Sequence, residues 1–312
     1  MYGALGEILT EKSGHLNLGV PGIMYLGGFA GYAGGYFYEN NAANPNGVMC
    51  VLIALACCIV ASMLGGLIYG FLTTTLRANQ NVTGLALTTF GMGVANFFGV
   101  YMLDGASYTA APKSYAAFSA KIPFLSTKLG VVSEILFSYG FLAYAAILLA
   151  VVLHLFLNKT RAGLCLRSVG ENPATADAAG INVTKYKYLA TCIGAGISGI
   201  GGLYYVLDYN RGIWATTGQI EALGWLAVAL VIFTTWKPLN AIWGAYLFGV
   251  LYWLYQYLPN LLGFTLPNYA IDLVQAVPYV VTIVVLIIVS LRKKRENLPP
   301  ANLGLPYFRE ER

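Results

Sequence analysis

The chain has 312 residues, of which 58% are hydrophobic and 10% are charged, with a formal net charge of +5 and a mean hydropathy of +0.65. A soluble domain carries about 25% charged residues, so this composition leaves too few polar side chains to cover a globular surface. The basic residues are spread over loops and the C-terminal segment, which excludes a folded nucleic-acid-binding face. The expected surroundings of most of the chain are therefore lipid.

Apolar segments long enough to cross a bilayer recur along the chain. A spanning helix needs about 20 predominantly apolar residues. Eight candidates are present, of which the sixth is short: residues 16–38, 48–71, 82–103, 131–157, 188–208, 221–236, 239–258 and 271–291. Lys237 and Pro238 predict a tight polar turn between the sixth and seventh. The prediction is an all-α, polytopic membrane bundle of about eight helices, with residues 1–291 as one transmembrane domain and 292–312 as a tail.

The positions of Lys and Arg predict the orientation of this bundle. Most of the 18 basic residues fall in the N-terminal segment, the loop at 159–187 and the tail. These three regions share one side of the membrane only if the number of spans is even. Since basic loops face the cytoplasm, both termini are predicted to be cytoplasmic.

Small residues recur at every fourth position in several spans. Such stripes let helix backbones touch in lipid. They predict helix contacts within this chain, with a contact between two copies as the alternative. The stripes are Gly27, Gly31 and Gly35, then Gly66 and Gly70, then Gly194, Ser198 and Gly202.

A solute path is predicted where polar or irregular backbone enters the spans. Pro21 lies between two glycines and is expected to break or kink the first span. Carbonyl groups freed in this way are tolerated only inside protein or beside a water-filled path, which makes residues 17–24 a candidate lining. Further candidates are the uncharged polar residues Asn17, Asn81, Thr83, Thr88, Thr89 and Asn96. Hydrogen bonding between helices is an equally good explanation of these residues.

Aromatic residues cluster in the run YWLYQY at 252–257. This run could stack a nucleobase, although an aromatic belt at the membrane interface is the favoured interpretation.

Ionisable residues are expected to be absent from the membrane interior. Glu134, Asp208, Glu221 and Asp272 all fall at predicted span ends, so no ion-coupling site is expected and the solute is expected to be neutral. Energy for uphill transport would then come from another subunit.

Nucleotide, metal and catalytic sites are also not expected in this chain. Gly6, Lys12 and Ser13 have the spacing of a phosphate-binding loop, but Glu11 replaces its second glycine and would repel phosphates. The five cysteines form no C-x-x-C pair, and no catalytic motif is present, so the chain is not expected to be an enzyme.

The polar loop at 159–187 contains a short helix with well-defined ends. Asn172 is a good N-cap, Pro173 suits the first helical position, and Gly180 suits a left-handed C-terminal cap. The alanine-rich segment between them predicts a helix of about two turns, roughly 10 Å long. Such a helix is too short to be stable alone, so we expect it to dock against a partner. A simple connector is the alternative.

Three segments carry a family resemblance. RSVGENPATADAAGINVTKYK (167–187) resembles the cytoplasmic loop of permease subunits from bacterial ABC importers for branched-chain amino acids, simple sugars and nucleosides. ALGEILTEKSGHLNLGVPGIMYLGG (4–28) is similar to the N-terminal signature of the sugar and nucleoside branch, and LRANQNVTGLALTTFGMGV (76–94) to a third block. The chain departs from the family by having Pro21 where an acidic residue is common. It also begins almost at the signature, which favours eight spans over nine or ten.

The resemblance implies a role for the loop and a set of partners. The short helix would be the coupling helix that docks on an ATP-binding subunit. Coupling would involve Arg167, Glu171, Asn172, Pro173, Ala174, Asp177 and Gly180. ATP and Mg²⁺ would bind to that separate subunit, with no cofactor on this chain.

The other implied partners are a second permease subunit, expected to be a different chain, and an extracytoplasmic solute-binding protein. The location would be the bacterial cytoplasmic membrane. A nucleoside is the favoured solute, followed by a sugar and then an amino acid. The alternative is a stand-alone facilitator or channel that needs no ATPase.

Overall fold

The computed structural model describes residues 1–102, 109–120, 139–214, 218–262, 273, 276–292 and 298–308. Its helices are α1 Tyr2–Glu11, α2 Val20–Asn41, α3 Gly47–Gly70, α4 Gln80–Met102, α5 Pro112–Phe118, α6 Phe141–Lys159, α7 Arg161–Glu171, α8 Pro173–Ala178, α9 Val183–Tyr204, α10 Gln219–Phe233, α11 Pro238–Leu262 and α12 Val277–Arg292. Five-residue π-helical turns, Phe71–Thr75 and Tyr205–Tyr209, extend α3 and α9. Two-residue strands, β1 Thr109–Ala110 and β2 Ile213–Trp214, pair antiparallel. The predicted all-α class is confirmed.

Long apolar helices dominate the described part of the chain. Four of them are long and apolar enough to cross a membrane: Gly47–Thr75, Gln80–Met102, Phe141–Lys159 and Val183–Tyr209. Gln219–Phe233 and Tyr279–Ile288 are shorter apolar helices. Many large apolar side chains on α3 and α4 are exposed, including Leu52, Val60 and Phe97, as expected for helices that face lipid. The chain is a multi-pass membrane protein, whereas the total of eight spans remains a prediction.

The N-terminal region differs from the prediction. Residues 2–11 form a separate helix, all ten residues of which are buried, and α2 begins only at Val20. The interruption therefore lies at 12–19. Pro21 does not kink a helix but occupies the first turn of α2, where its missing N–H costs no hydrogen bond. The predicted break in the first span is present, but it lies before Pro21, and no kink forms because α2 begins next to the proline and does not run through it.

The small-residue stripes bring helix backbones together within the chain, as predicted. A Cβ atom at Gly6 of α1 would overlap the Gly194 carbonyl of α9, and one at Gly202 would overlap the Met24 carbonyl of α2. Gly27 of α2 meets Gly199 in the same way. These contacts make α1, α2, α3 and α9 the centre of the bundle.

The predicted turn after the sixth apolar segment is confirmed. Residues 234–236 form this turn, and α11 begins at Pro238. Thr235 and Trp236 adopt positive φ angles of 54° and 55°.

One end of the bundle collects four segments that are distant in sequence: residues 12–19, 71–80, 159–187 and 298–308, here called the loop end. The loop 159–187 contains α7 and α8 in addition to the start of α9. The described part of the predicted tail returns to this end, because Asn302 N donates to the Gly170 carbonyl (3.0 Å) and Gly304 N donates to the Gly14 carbonyl (3.2 Å). The tail therefore packs on the same surface as the loop.

Candidate solute cavity and coupling segment

A cavity of about 400 Å³ lies among α1, α2, α9, α10 and α11. Its lining is mainly apolar and aromatic, with a small number of polar atoms, a combination typical of small-molecule sites. The polar atoms include tyrosine hydroxyls and one carboxamide, from Tyr2, Tyr204, Tyr205, Tyr209, Tyr252 and Gln219. We call this space the tyrosine cavity.

A local departure from α-helical geometry shapes this cavity. The π-helical turn that follows α9 places Tyr205 and Tyr209 on one wall, with their rings stacked at 5.5 Å between centroids and 26° between planes. Single π-helical turns within helices are frequent at functional sites. The stacked pair therefore presents aromatic surface to the space between the helices.

Hydrogen bonds hold two further tyrosines of the lining. The Tyr2 hydroxyl donates to the Leu142 carbonyl at 2.7 Å, and the Tyr252 hydroxyl donates to Gln219 Oε1 at 3.1 Å. The Gln219 carboxamide also carries two N–H donors, so the lining offers donors as well as aromatic surface. This chemistry suits an uncharged solute with a flat ring and polar edges.

The residues predicted for the solute path lie elsewhere. Asn17 Oδ1 accepts from Gly19 N (2.9 Å), Thr88 Oγ1 donates to the Leu18 carbonyl (2.9 Å), and Pro21 packs on Gly224 of α10. Thr83 is buried, whereas Asn81 and Thr89 are exposed. The Asn96 carboxamide oxygen is buried without a hydrogen-bond partner among the described residues. None of them lines the tyrosine cavity, and their assignment to the path remains a prediction.

The aromatic run at 252–257 contributes to the cavity through Tyr252. Tyr257 is exposed, and the side chains of 253–256 lie outside the described residues. The other cavity tyrosines were missed in the sequence. The clustered aromatics of YYVLDY at 204–209 were the available signal, but nothing in the chain marked the π-helical turn.

Two carboxyl groups lie in the interior, where none was expected. Glu7 and Glu11 are one turn apart on α1 and are 1% and 2% exposed. Glu7 Oε1 accepts from Asn17 N (3.0 Å), Glu11 accepts from the Trp236 indole N–H, and the two carboxyl groups hydrogen-bond to each other. A bond between two carboxyl groups requires a proton on one of them. These two carboxyl groups were missed because the sequence placed residues 2–11 before the first span, whereas α1 is buried in the bundle.

The predicted short helix is present with both of its caps. In α8, Asn172 Oδ1 accepts from Thr175 N (3.0 Å), and Pro173 occupies the first turn. Gly180 has a φ of 81°, and Ile181 N donates to the Ala176 carbonyl (3.0 Å), which closes the C-terminal end. Ala176 packs with Val169 and Val183 in a small apolar cluster.

The seven predicted coupling residues lie together at the loop end, but they are not equally accessible. Glu171, Asn172, Ala174 and Gly180 are exposed, whereas Pro173 is buried. Asp177 Oδ2 accepts from the Tyr307 hydroxyl (3.0 Å), and Glu171 Oε2 accepts from Ala301 N (3.4 Å). The tail therefore holds two of the seven, a contact between segments 130 residues apart that the sequence did not indicate.

Two cations adjoin this segment. Arg167 is exposed and donates from Nη1 to Asn158 Oδ1 at 2.9 Å. Burial, reinforced by the nearby charge of Arg167, lowers the pKa of Lys12 to about 8, while Glu171 and Glu11 act in the opposite direction.

Comparisons with known proteins agree with this architecture. The chain is 34% identical over 251 residues to the putative glucose ABC transporter permease protein TsgC13 of Haloferax volcanii, covering 80% of this chain and 71% of that protein. It is 32% identical to the guanosine ABC transporter permease protein NupQ of Bacillus subtilis (99% of this chain, 92% of that protein). It is 29% identical to the nucleoside ABC transporter permease protein NupC of Lactococcus lactis (92% and 87%). No solved structure is significantly similar to the chain.

The family comparison covers nearly the whole chain. Residues 2–290 match the model of the family described as branched-chain amino acid transport system, permease component. This match confirms the prediction of a transport subunit and excludes the alternative of an enzyme. The chain therefore belongs to the family of branched-chain amino acid transport system permease components.

Proposed function

We propose that the chain is the permease subunit of an ATP-driven importer and that it passes a nucleoside into the cell through the tyrosine cavity. The observation that carries this proposal is the stacked pair Tyr205 and Tyr209 beside Gln219 in a cavity of about 400 Å³. A nucleobase can stack on tyrosine rings, which contributes about 1–3 kcal/mol per base. The carboxamide and the hydroxyls supply hydrogen bonds to its edges or to the ribose. The names of NupQ and NupC support this solute class.

Energy would reach the cavity through α8. In this proposal the loop end faces the cytoplasm, both termini lie there, and eight helices span the bacterial cytoplasmic membrane. The exposed part of α8 docks on a separate ATP-binding subunit, which binds ATP and Mg²⁺. A second permease subunit of different sequence completes the pathway, and an extracytoplasmic binding protein delivers the solute. Closure of the ATPase then alternates access to the cavity.

A sugar is the second candidate solute, supported by the name of TsgC13. Sugars also pack on aromatic rings, but they do so through C–H edges and rely more heavily on hydrogen bonds. An uptake assay with competitors distinguishes a nucleoside from a sugar as the solute. If the solute is a nucleoside, excess unlabelled guanosine should block its uptake, whereas excess glucose should not.

The cavity is tested with a pair of variants at one position. Loss of a stacking ring in Tyr205→Ala should raise the KM for radiolabelled guanosine about tenfold, since about 1.4 kcal/mol corresponds to a factor of ten. Tyr205→Phe keeps the ring and should stay near wild type. Tyr257→Ala removes an exposed ring outside the cavity and is the matched control. Equal uptake by Tyr205→Ala and Tyr257→Ala would refute the assignment.

The facilitator alternative is tested in proteoliposomes of the assembled complex. Uptake that requires enclosed ATP, together with an ATPase that co-purifies with the chain, supports the importer. Uptake at the same rate without ATP supports the facilitator.

A further inference from the structure

We infer that a second cavity, at the loop end, binds a phosphate-class oxyanion. This cavity measures about 750 Å³ and lies between the π-helical turn Phe71–Thr75, the segment that joins α8 to α9, and the tail residue Tyr307. It shares no lining residue with the tyrosine cavity. We call it the basic cavity, and the inference does not depend on the proposed solute.

The charges around the basic cavity are unbalanced. Arg77, Lys185 and Lys187 line it, whereas Asp177 is the carboxylate of the lining and already accepts from the Tyr307 hydroxyl. Lys187 is 3% exposed. Among the described residues, no carboxylate or other acceptor is recorded within hydrogen-bond distance of its ammonium group.

A buried ammonium group of this kind is costly unless an anion accompanies it, because burial removes its hydration. Other buried or half-buried ionisable groups near the loop end have compensation. Glu7 and Glu11 hydrogen-bond to each other, and Lys12 lies near Glu11 and Glu171. Lys187 has no such partner among the described residues, and it lines the basic cavity.

The groups behind Lys187 supply no negative charge. His15 is fully buried, and its Nδ1 and Nε2 atoms lie 3.0 Å and 3.3 Å from the hydroxyls of Thr191 and Thr74. The Thr73 hydroxyl donates to the Tyr69 carbonyl at 2.8 Å. Among the described residues, a neutral imidazole and hydroxyls therefore form this wall, which leaves the cavity as the side from which a counter-charge can approach.

The remaining lining is rich in donors. The 22-residue helix α9 begins at the cavity, with Asn182 as its N-cap, and a helix N-terminus favours an anion. Thr184 also lines the space. The Arg77 guanidinium lies 4.7 Å from the Phe308 ring centroid, which holds it at the rim. A phosphate group, with several acceptor oxygens and a double negative charge, matches this set of donors.

The anion has two sources with the same chemistry. One is a free phosphate or phosphate monoester in solution, and the other is the phosphate headgroup of a lipid. Phe71 and Leu76, which are 48% and 58% exposed, extend the lipid-facing surface to the cavity wall and make the second source accessible.

The experiment for the soluble source compares thermal unfolding of the full-length protein in detergent with and without inorganic phosphate, at ionic strength matched with chloride. Phosphate should raise the Tm of wild type, and Lys187→Met should weaken the apparent phosphate affinity by at least about tenfold. Lys159→Met removes an exposed lysine at the end of α6, outside the cavity, and should keep the wild-type response. Comparing each variant with and without phosphate separates binding from any change in its own stability.

The lipid source is tested in nanodiscs that contain phosphatidic acid or phosphatidylcholine alone, with retained lipid measured by native mass spectrometry. Retention of phosphatidic acid that is lost in Lys187→Met and in Arg77→Gln, and is displaced by inorganic phosphate, assigns the site to a headgroup. A phosphate-specific Tm shift without retained lipid assigns it to a soluble anion. Identical behaviour of wild type and Lys187→Met in both assays would overturn the inference. Phosphate binding that appears only after Glu310→Gln and Glu311→Gln would also overturn it, because the chain's own carboxylates would then be the counter-charge.

Discussion

At the residue scale, the buried polar groups of α1 hold the irregular segment that follows it. Glu7 accepts from the backbone of Asn17, and Glu11 accepts from Trp236 at the turn before α11. Tyr69 adds a hydrogen bond from its hydroxyl to the Leu16 carbonyl at 2.5 Å. Side-chain hydrogen bonds thus fix loop 12–19 to α1 and α3.

This network predicts the effect of two substitutions at Glu11. Glu11→Ala leaves the Trp236 N–H and the Glu7 carboxyl group without their partner, and should lower the free energy of unfolding by about 1–3 kcal/mol. Glu11→Gln keeps an acceptor oxygen for Trp236 and should cost less. Thermal unfolding of the purified variants in detergent should give a lower Tm for Glu11→Ala than for Glu11→Gln. Equal Tm values would contradict the role of Glu11 as the acceptor of the Trp236 hydrogen bond.

A second prediction at this scale concerns the left-handed cap of α8. At Gly180 an added Cβ would meet no atom within 4 Å, so a substitution is limited by backbone strain and not by space. Gly180→Val should destabilise the C-terminal cap of α8 by about 1–3 kcal/mol, because a β-branched residue is strained at positive φ. We expect reduced solute uptake per ATP hydrolysed, whereas Gly180→Asn, which tolerates this conformation, should retain coupling. Unchanged coupling in Gly180→Val would remove α8 from the proposed pathway.

At the element scale, close backbone contacts join α9 to α1, α2 and α3. Because no hydrophobic effect drives helices together in lipid, this packing depends on small residues that permit short approaches. The N-terminal helix contributes Gly6 to these contacts, and α2 contributes Gly27 and Gly28. Since α9 also carries the π-helical turn of the tyrosine cavity, its position determines the shape of that cavity.

The contact between α2 and α9 predicts that a Gly→Ala substitution destabilises the protein at this contact but not at an open position. Gly202→Ala places a Cβ atom against the Met24 carbonyl, so the helices must separate, and overpacking of this kind costs about 1–3 kcal/mol. Gly93→Ala on α4 adds the same group where no atom lies within 4 Å and is the matched control. Thermal unfolding should show a lower Tm for Gly202→Ala only; a similar Tm for both variants would contradict the packing.

At the scale of the whole molecule, the fold separates two surfaces. The loop end gathers the coupling segment, the tail and the basic cavity. The strands β1 and β2 and helix α5 lie together elsewhere, where Ala111 N donates to the Gly212 carbonyl (2.8 Å) and Glu39 accepts from the start of α5. In the proposed topology these two regions lie on opposite sides of the membrane.

Cysteine labelling tests this topology. Ala174 on α8 and Ala116 on α5 are both exposed, and each can be replaced by Cys in a background where the five native cysteines are Ser or Ala. A membrane-impermeant maleimide should label Ala116→Cys in intact cells and Ala174→Cys only after permeabilisation. Labelling of Ala174→Cys from outside intact cells would invert the topology and contradict the proposed docking of α8.

Features that depend on neighbouring residues were predictable. The apolar segments and the turn at Lys237 and Pro238 depend on local composition, and the caps at Asn172 and Gly180 depend on spacings of a few residues. Local order along the chain is therefore enough to establish a helical membrane protein with a short capped helix.

Features that join distant residues required the folded chain. The burial of α1, the return of the tail to α8, the tyrosine cavity and the basic cavity all depend on which helices meet, and close backbone approach over many residues decides this. Tyr2 and Tyr252 line the same cavity only because α1 packs against α11. Arg77 and Lys187 line the same cavity only because the turn after α3 packs against α9. Neither pairing leaves a periodic trace in the sequence, since each arises from long-range packing and not from local helix chemistry.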